Sequence, residues 1–231
     1  MRVIVVASHK GGSGKTTLSA HLAVAAERAG AGPVVLLDID PRGALIDWWE
    51  SRPDHVPAFA RSSAERLTND LELLRRKGYR LAIVDTPPAA SETISPVIGQ
   101  AELVIVPTRG SLPELRALTA TLHICADAGR QAAVAIMAAQ PGTVIDHDAA
   151  IALSRHGALA PATVHFSEDI EAAMAGGLTA MELNPSCLAA TEVRALWRYL
   201  AGRLESNFRR TVFTRPAMAV ALGFGRRVAV H

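Results

Sequence analysis

The chain has 231 residues, 49% of them hydrophobic, which suits one α/β domain with a large core and excludes a disordered chain. No apolar run reaches the roughly 18 residues that a membrane-spanning helix needs. The net charge of +2 is unevenly spread: residues 191–231 hold eight arginines against two glutamates, so a basic end follows an acidic body. That asymmetry suits a polyanionic partner, nucleic acid or an anionic membrane surface, although arginine-rich ends are often simply solvated.

Val3-Ile4-Val5-Val6-Ala7 reads as a buried strand, and the chain opens directly into it. We therefore expect no export leader and no operator-reading helix-turn-helix domain ahead of it. Lys10-Gly11-Gly12-Ser13-Gly14-Lys15-Thr16-Thr17 follows. Leu18, His21, Leu22, Ala25, Ala26 and Ala29 then fall on one side of a helix that Gly30 can close. A strand, a glycine-rich turn and a helix N-terminus together make a phosphate cradle. Backbone N–H groups converge on an anion there, and the helix dipole adds partial positive charge. Lys15 is spaced to reach β- and γ-phosphates, and the Thr16 hydroxyl to ligate Mg²⁺. Lys10, Lys15 and Lys77 are the only lysines among the 24 Lys and Arg residues. Two of them share this loop, where a compact ammonium fits better than a guanidinium.

The strict Gly-x-x-x-x-Gly-Lys-Thr pattern fails at its opening glycine. The wording Lys-Gly-Gly-x-Gly-Lys-Thr-Thr instead resembles the deviant phosphate loop of the ParA/MinD family of ATPases. The resemblance implies that Gly11, Gly12, Ser13, Gly14, Lys15, Thr16 and Thr17 bind ATP with Mg²⁺. It also implies that Lys10 reaches across a homodimer to the partner's nucleotide.

A second apolar strand, Val34-Val35-Leu36-Leu37, runs into Asp38-Ile39-Asp40-Pro41-Arg42-Gly43. Carboxylates just past the C-terminal end of a strand lie where nucleotide sites form in open α/β sheets. The segment resembles the family's Asp-x-Asp-Pro-Gln-Gly motif, which implies that Asp38 holds the Mg²⁺ water shell and Asp40 orients the attacking water. Arg42 replaces the glutamine, which leaves the role of that position open. A short helix over 44–51 carries Trp48 and Trp49, and their 100° offset means that both cannot be equally buried. Residues 53–57 read as a loop, and 64–77 as a helix with Leu67, Leu71 and Leu74 toward the core.

Leu81-Ala82-Ile83-Val84 then ends in Asp85-Thr86-Pro87-Pro88, a Walker B arrangement that puts Asp85 on Mg²⁺ directly or through water. Residues 103–107 form a fourth core strand. The segment from Pro107 to Leu115 resembles the family's Pro-x-x-x-Ser-x-x-Asp-Leu stretch, with Glu114 for Asp. A helix over 114–128 and a strand over 132–137 follow. Many relatives place an adenine-reading Asn at the end of that strand, but this chain has Met137. Residues 146–156 read as a helix, 162–164 as a short strand, and 167–174 as a helix with Ser167 as N-cap and Glu168, Asp169 and Glu171 in its first turn. The last helix, 189–206, has Val193, Trp197, Leu200 and Leu204 as its buried stripe, with Arg194 and Arg198 beside it.

The expected fold is one α/β P-loop domain over residues 1–206, with a mostly parallel twisted sheet and helices on both faces. A basic tail over 207–231 follows; we expect it to be partly disordered, with a membrane-surface segment as the competing reading. Cys125 and Cys187 have no metal-type spacing and read as buried free thiols in a reducing cytosol.

The resemblance implies a small ParA-type ATPase, cytoplasmic and nucleoid-associated. Its ATP-bound dimer would bind DNA non-specifically, a partner protein would stimulate slow hydrolysis, and the cycle would position plasmid, chromosome or other cargo. Arg194, Arg198 and Arg203 are the candidate DNA contacts. The alternatives are a MinD-like membrane-cycling ATPase, or a nucleotide-dependent scaffold recruiting DNA-transfer machinery. An iron–sulfur carrier of this fold needs clustered cysteines, and a bacterial tyrosine kinase needs a tyrosine-rich tail. Cys125, Cys187, Tyr79 and Tyr199 supply neither.

Overall fold

The computed structural model describes residues 1–88, 91–109, 112–139 and 158–214. In chain order these form β1 (Arg2–Val6), α1 (Lys15–Arg28), β2 (Val34–Asp38), α2 (Ala44–Glu50), β3 (Ala58–Arg61), α3 (Leu67–Arg76), β4 (Leu81–Asp85) and α4 (Ser91–Ile98). β5 (Leu103–Thr108), α5 (Leu112–Asp127), β6 (Gln131–Ala139), β7 (Ala158–Leu159), β8 (Val164–His165), α6 (Glu168–Ala175), α7 (Ala180–Leu183) and α8 (Leu188–Thr214) complete them.

The strands pair in parallel in the order β3-β2-β4-β1-β5-β6-β7, with β8 added to β6 past a register shift between Met137 and Ala139. Alternation along each central strand divides the core into two layers, as a sheet covered on both faces requires. Ile4, Val6, Leu36, Ile83 and Ile105 join Leu18 and Leu22 of α1 and Val193, Trp197 and Leu200 of α8. Val3, Val5, Val35, Leu37, Val84 and Val104 join Leu67, Leu71 and Leu74 of α3 and Leu118 and Leu122 of α5. Leu22 is fully buried, so truncating it to Ala would cost about 2–5 kcal/mol.

From β1 the chain moves outward to β2 and β3, returns to β4 beside β1, and then crosses to β5 on the other side. That reversal places a crevice at the C-terminal end of β1. The register also levels the motif residues: Asp38 pairs with Asp85 across β2 and β4, and Val6 pairs with Asp85 across β1 and β4.

Several elements differ from the sequence reading. The edge strand β3 was not expected; its alanines and Phe59 carry no strong alternation, and it bonds only to β2. Helix α4 was also unexpected, and it contains Pro96. Ser167 sits at the N-cap of α6 with extended backbone, but its side chain makes no capping hydrogen bond. Helix α8 continues past residue 206 to Thr214, two residues before Pro216, a place where helices end because proline disfavours helical backbone in the residue before it. The helix expected over 146–156 and the tail from 215 onward lie outside the described residues. Trp48 is buried and Trp49 half-buried, as their offset required. Both cysteines are buried free thiols, and burial pushes the Cys125 thiol up to about 12.

Candidate nucleotide-binding site

The loop between β1 and α1 turns through Gly12 and Gly14, at φ 72° and 90°, a region that side chains with a Cβ rarely adopt. At Gly11 and Gly12 an added Cβ would meet nothing within 4 Å, so the loop's outer side is open space. Ser13 lies inside it, with a buried Oγ that has no hydrogen-bond partner. An orphaned hydroxyl in a glycine loop at a helix N-terminus fits a phosphate-bearing ligand, because such a ligand would satisfy it.

Lys15, the first residue of α1, is buried, and its Nζ donates to the carbonyls of Ser8 at 3.5 Å and Lys10 at 3.2 Å. Burial pulls its pKa down, and the Arg42 charge adds to that against the pull of Asp85 and Asp40. The ammonium is thus folded back on its own loop, where a phosphate would be a better partner than two carbonyls. Lys10 is exposed on the same loop.

Asp85, at the end of β4, is the most buried carboxylate of the site. It accepts from Thr16 Oγ1 at 2.7 Å and from Ser19 Oγ at 3.1 Å. Burial raises its pKa to about 7, Asp38 pushing the same way and the two hydroxyls opposing. A desolvated carboxylate beside a threonine hydroxyl fits a hard divalent cation, which would repay the burial cost. Asp38 lies level with it on β2. Its Oδ1 accepts from the Asp40 N–H at 2.9 Å and its Oδ2 from the Ile46 N–H at 3.3 Å, while burial raises its pKa. Asp40 is buried, and Arg42 grips it through Nε at 3.1 and 3.0 Å and through NH2 at 2.5 Å. Those hydrogen bonds hold the Asp40 pKa below the usual carboxylate range.

The structure therefore brings Lys10, Lys15, Thr16, Asp38, Asp40 and Asp85 to one end of the sheet. Thr17 is the third residue of α1, and its carbonyl accepts from His21 Nδ1 at 2.8 Å. Met137 lies in the core with its side chain against Gly14, where a Cβ would meet it at 3.7 Å. It supports the loop from below. Sequence reasoning missed Ser8, Ser19 and Arg42 as participants. Ser19 was legible in principle, because it lies one helical turn beyond Thr16.

Arg194 and Arg198 line an open cleft of about 700 Å³ together with Arg2, Arg28 and Arg80. That cleft borders the starts of β1 and β4, at the end of the sheet away from the loop. Arg203 stands apart: it donates to Tyr199 Oη and Gln131 Oε1, both at 2.9 Å.

The family model for the CobQ/CobB/MinD/ParA nucleotide binding domain matches residues 4–161. The chain belongs to that family. Within it, the "Maintenance of carboxysome distribution protein A" of Gloeobacter kilaueensis is 39% identical over a segment covering 53% of this chain and 56% of that protein. ParA of Rhizobium radiobacter is 34% identical over 47% of this chain and 49% of its own length. This family member thus spans about half the length of the curated relatives it matches. Among solved structures, the cell division ATPase MinD of Pyrococcus furiosus superposes with a TM-score of 0.71 at 19% identity, covering 87% of this chain and 98% of that one. MinD of Pyrococcus horikoshii, solved with Mg-ADP, gives 0.70 at 18% identity over 88% and 98%. At such identities the likeness establishes the shared P-loop fold.

Proposed function

We propose that this family member is an ATP-dependent, dimerising ATPase that binds DNA non-specifically and positions a cargo. The observation that carries the reading is the meeting of a Lys10-bearing phosphate loop with Thr16, Asp38, Asp40 and Asp85 at one sheet end. Gly11 to Thr17 would hold the phosphates, with the Ser13 hydroxyl and the Lys15 ammonium gaining partners. Thr16 and Asp85 would hold Mg²⁺, with Asp38 on its water shell; when bound, the cation supplies neutralisation of charge on the β- and γ-phosphates. Asp40 orients the attacking water. Lys10, exposed at the loop's edge, crosses to the partner's nucleotide in a homodimer. A partner protein accelerates slow basal turnover.

Arg194 and Arg198 are the proposed DNA contacts. Support comes from the five arginines converging on one cleft, which concentrate positive potential there. Arg203, also a candidate contact, lies outside that cleft and is engaged by Tyr199 and Gln131, while Arg194 bonds to the Pro185 carbonyl and Thr191 Oγ1. We place the protein in the cytoplasm on the nucleoid, with residues 1–206 as the ATPase domain and 207–231 as a basic tail.

The test is binding to non-specific duplex DNA with ATP, with ADP and without nucleotide, across a salt series. Binding that needs ATP and weakens steeply with salt supports the reading. If DNA is ignored in every state while anionic vesicles are bound with ATP, the membrane-cycling alternative replaces it.

A further inference from the structure

Arg42 stands where the family motif has glutamine, and the geometry gives it a role. Its guanidinium closes a fork on Asp40: Nε reaches both carboxylate oxygens, NH2 reaches Oδ2, and the Arg42 backbone N–H adds a bond to Oδ1 at 3.0 Å. The Asp40 side chain is 5% exposed and that of Arg42 63%, so a buried acid is capped by a solvent-facing base. Glutamine could not do this, since it offers one amide nitrogen and no charge. A carboxylate gripped in this way has both oxygens committed and is poorly placed to accept a proton from water. The guanidinium also lies within the field of the phosphate site, close enough to repel Lys15 and to be attracted by Asp85 and Asp38.

We propose that Arg42 is a positioning residue that senses the nucleotide state: it clamps Asp40 in the nucleotide-free protein and, once a triphosphate is bound, divides its guanidinium between Asp40 and the terminal phosphate, so that Asp40 orients water only while Arg42 is held by the phosphate. This inference rests on the role of Asp40 proposed above. Two consequences follow from one motion of Arg42. Basal hydrolysis is restrained by the share of the ATP-bound protein in which the clamp stays closed, and ATP is favoured over ADP because only the triphosphate offers the terminal group.

The experiment compares the parental chain with Arg42→Gln, Arg42→Lys and Asp40→Asn. ATP and ADP affinities are read from intrinsic fluorescence, since Trp48 and Trp49 lie on the helix that follows the motif. Unstimulated kcat and KM are measured alongside. Arg42→Gln should raise kcat several-fold and lower the ATP-to-ADP affinity ratio several-fold. Arg42→Lys should also raise kcat, because an ammonium cannot hold both Asp40 oxygens, yet keep most of the ATP preference. An Arg42→Gln protein with unchanged or reduced kcat, or with the parental ATP-to-ADP ratio, overturns the clamp. If Asp40→Asn turns over at the parental rate, the assignment of Asp40 itself fails, and the clamp with it. Because Arg42 faces solvent and Asp40→Asn is isosteric, the variants should fold; equal thermal midpoints confirm that the comparison is fair.

Discussion

Thr16 and Asp85, 69 positions apart in the chain, meet through a 2.7 Å hydrogen bond at the point where α1 begins and β4 ends. Neither residue would hold a cation alone. Together they place a neutral oxygen and a buried carboxylate side by side, and Mg²⁺ accepts such a pair while keeping several waters.

With Asp85 in its proposed role on Mg²⁺, its raised pKa of about 7 would make cation binding pH-dependent. Below that value a proton must leave before the cation enters, so apparent Mg²⁺ affinity should fall toward roughly tenfold per pH unit. Above it, affinity should level off. Titrating Mg²⁺ against nucleotide binding on both sides of neutrality checks this, and Asp85→Asn should flatten the profile while weakening Mg²⁺ at every pH.

In the proposed cycle Lys10 and Asp40 act at different steps, and they should separate by mutation. Lys10→Ala should leave nucleotide binding by the monomer largely intact and abolish ATP-dependent dimerisation. Asp40→Ala should bind ATP and accumulate dimer while hydrolysis falls. Light scattering with ATP, with turnover measured in parallel, distinguishes the two; dimers that persist unchanged without Lys10 would remove it from the interface.

Much of this site was legible in the sequence because its parts are local. A glycine loop, a strand-end Asp and an Asp-x-Asp-Pro turn each occupy a few adjacent residues, and strand order brings them together. What escaped was mutual. The Arg42 grip on Asp40 depends on a side-chain rotamer, and the second hydroxyl on Asp85 comes from Ser19, whose chemistry shows only once Asp85 is beside α1. The edge strand β3 escaped because four residues with half-buried alanines resemble a loop until β2 offers them hydrogen bonds. Met137 stands where many relatives place an adenine-reading Asn, and what its own side chain does, filling space beneath Gly14, shows only in the packing.

Arg52 shows how a residue remote from the loop secures the α2 side of the domain. Its guanidinium is buried, paired with Glu182 at 2.8 Å, bonded to the carbonyls of Val56 and Gly177, and stacked over Trp48 at 4.7 Å. Gly177 allows the approach, because a Cβ there would lie 2.4 Å from the Ser51 backbone. Arg52→Ala would strand a carboxylate and two carbonyls, at a cost of about 3–5 kcal/mol. Urea unfolding measures the loss, and nucleotide affinity measured under folded conditions should change little.

His21 supplies the clearest pH effect on stability. It is almost fully buried on α1; its Nδ1 lies 2.8 Å from the Thr17 carbonyl, and its Nε2 accepts the Ala180 N–H at 3.1 Å, tying α1 to the start of α7. Those bonds need the neutral ring with the proton on Nδ1, and burial lowers its pKa from 6.5 to about 4. Between those values the unfolded chain binds the proton more readily than the folded one. Stability from this group is therefore full above pH 6.5 and is lost as pH falls toward 4, by on the order of 3 kcal/mol. Asp85 acts oppositely over much of the same range. Its pKa is raised from 3.8 to about 7, so the folded state holds the extra proton and stability falls as pH rises between those values. In the nucleotide-free parent the two slopes oppose each other between pH 4 and 6.5, and the raised pKa of Asp38 adds to the Asp85 side. Asp85→Asn should uncover the histidine slope, with unfolding free energy rising as pH rises through that window. A urea series across it should find stability rising more steeply with pH in the variant than in the parent; equal slopes would show that Asp85 titrates normally.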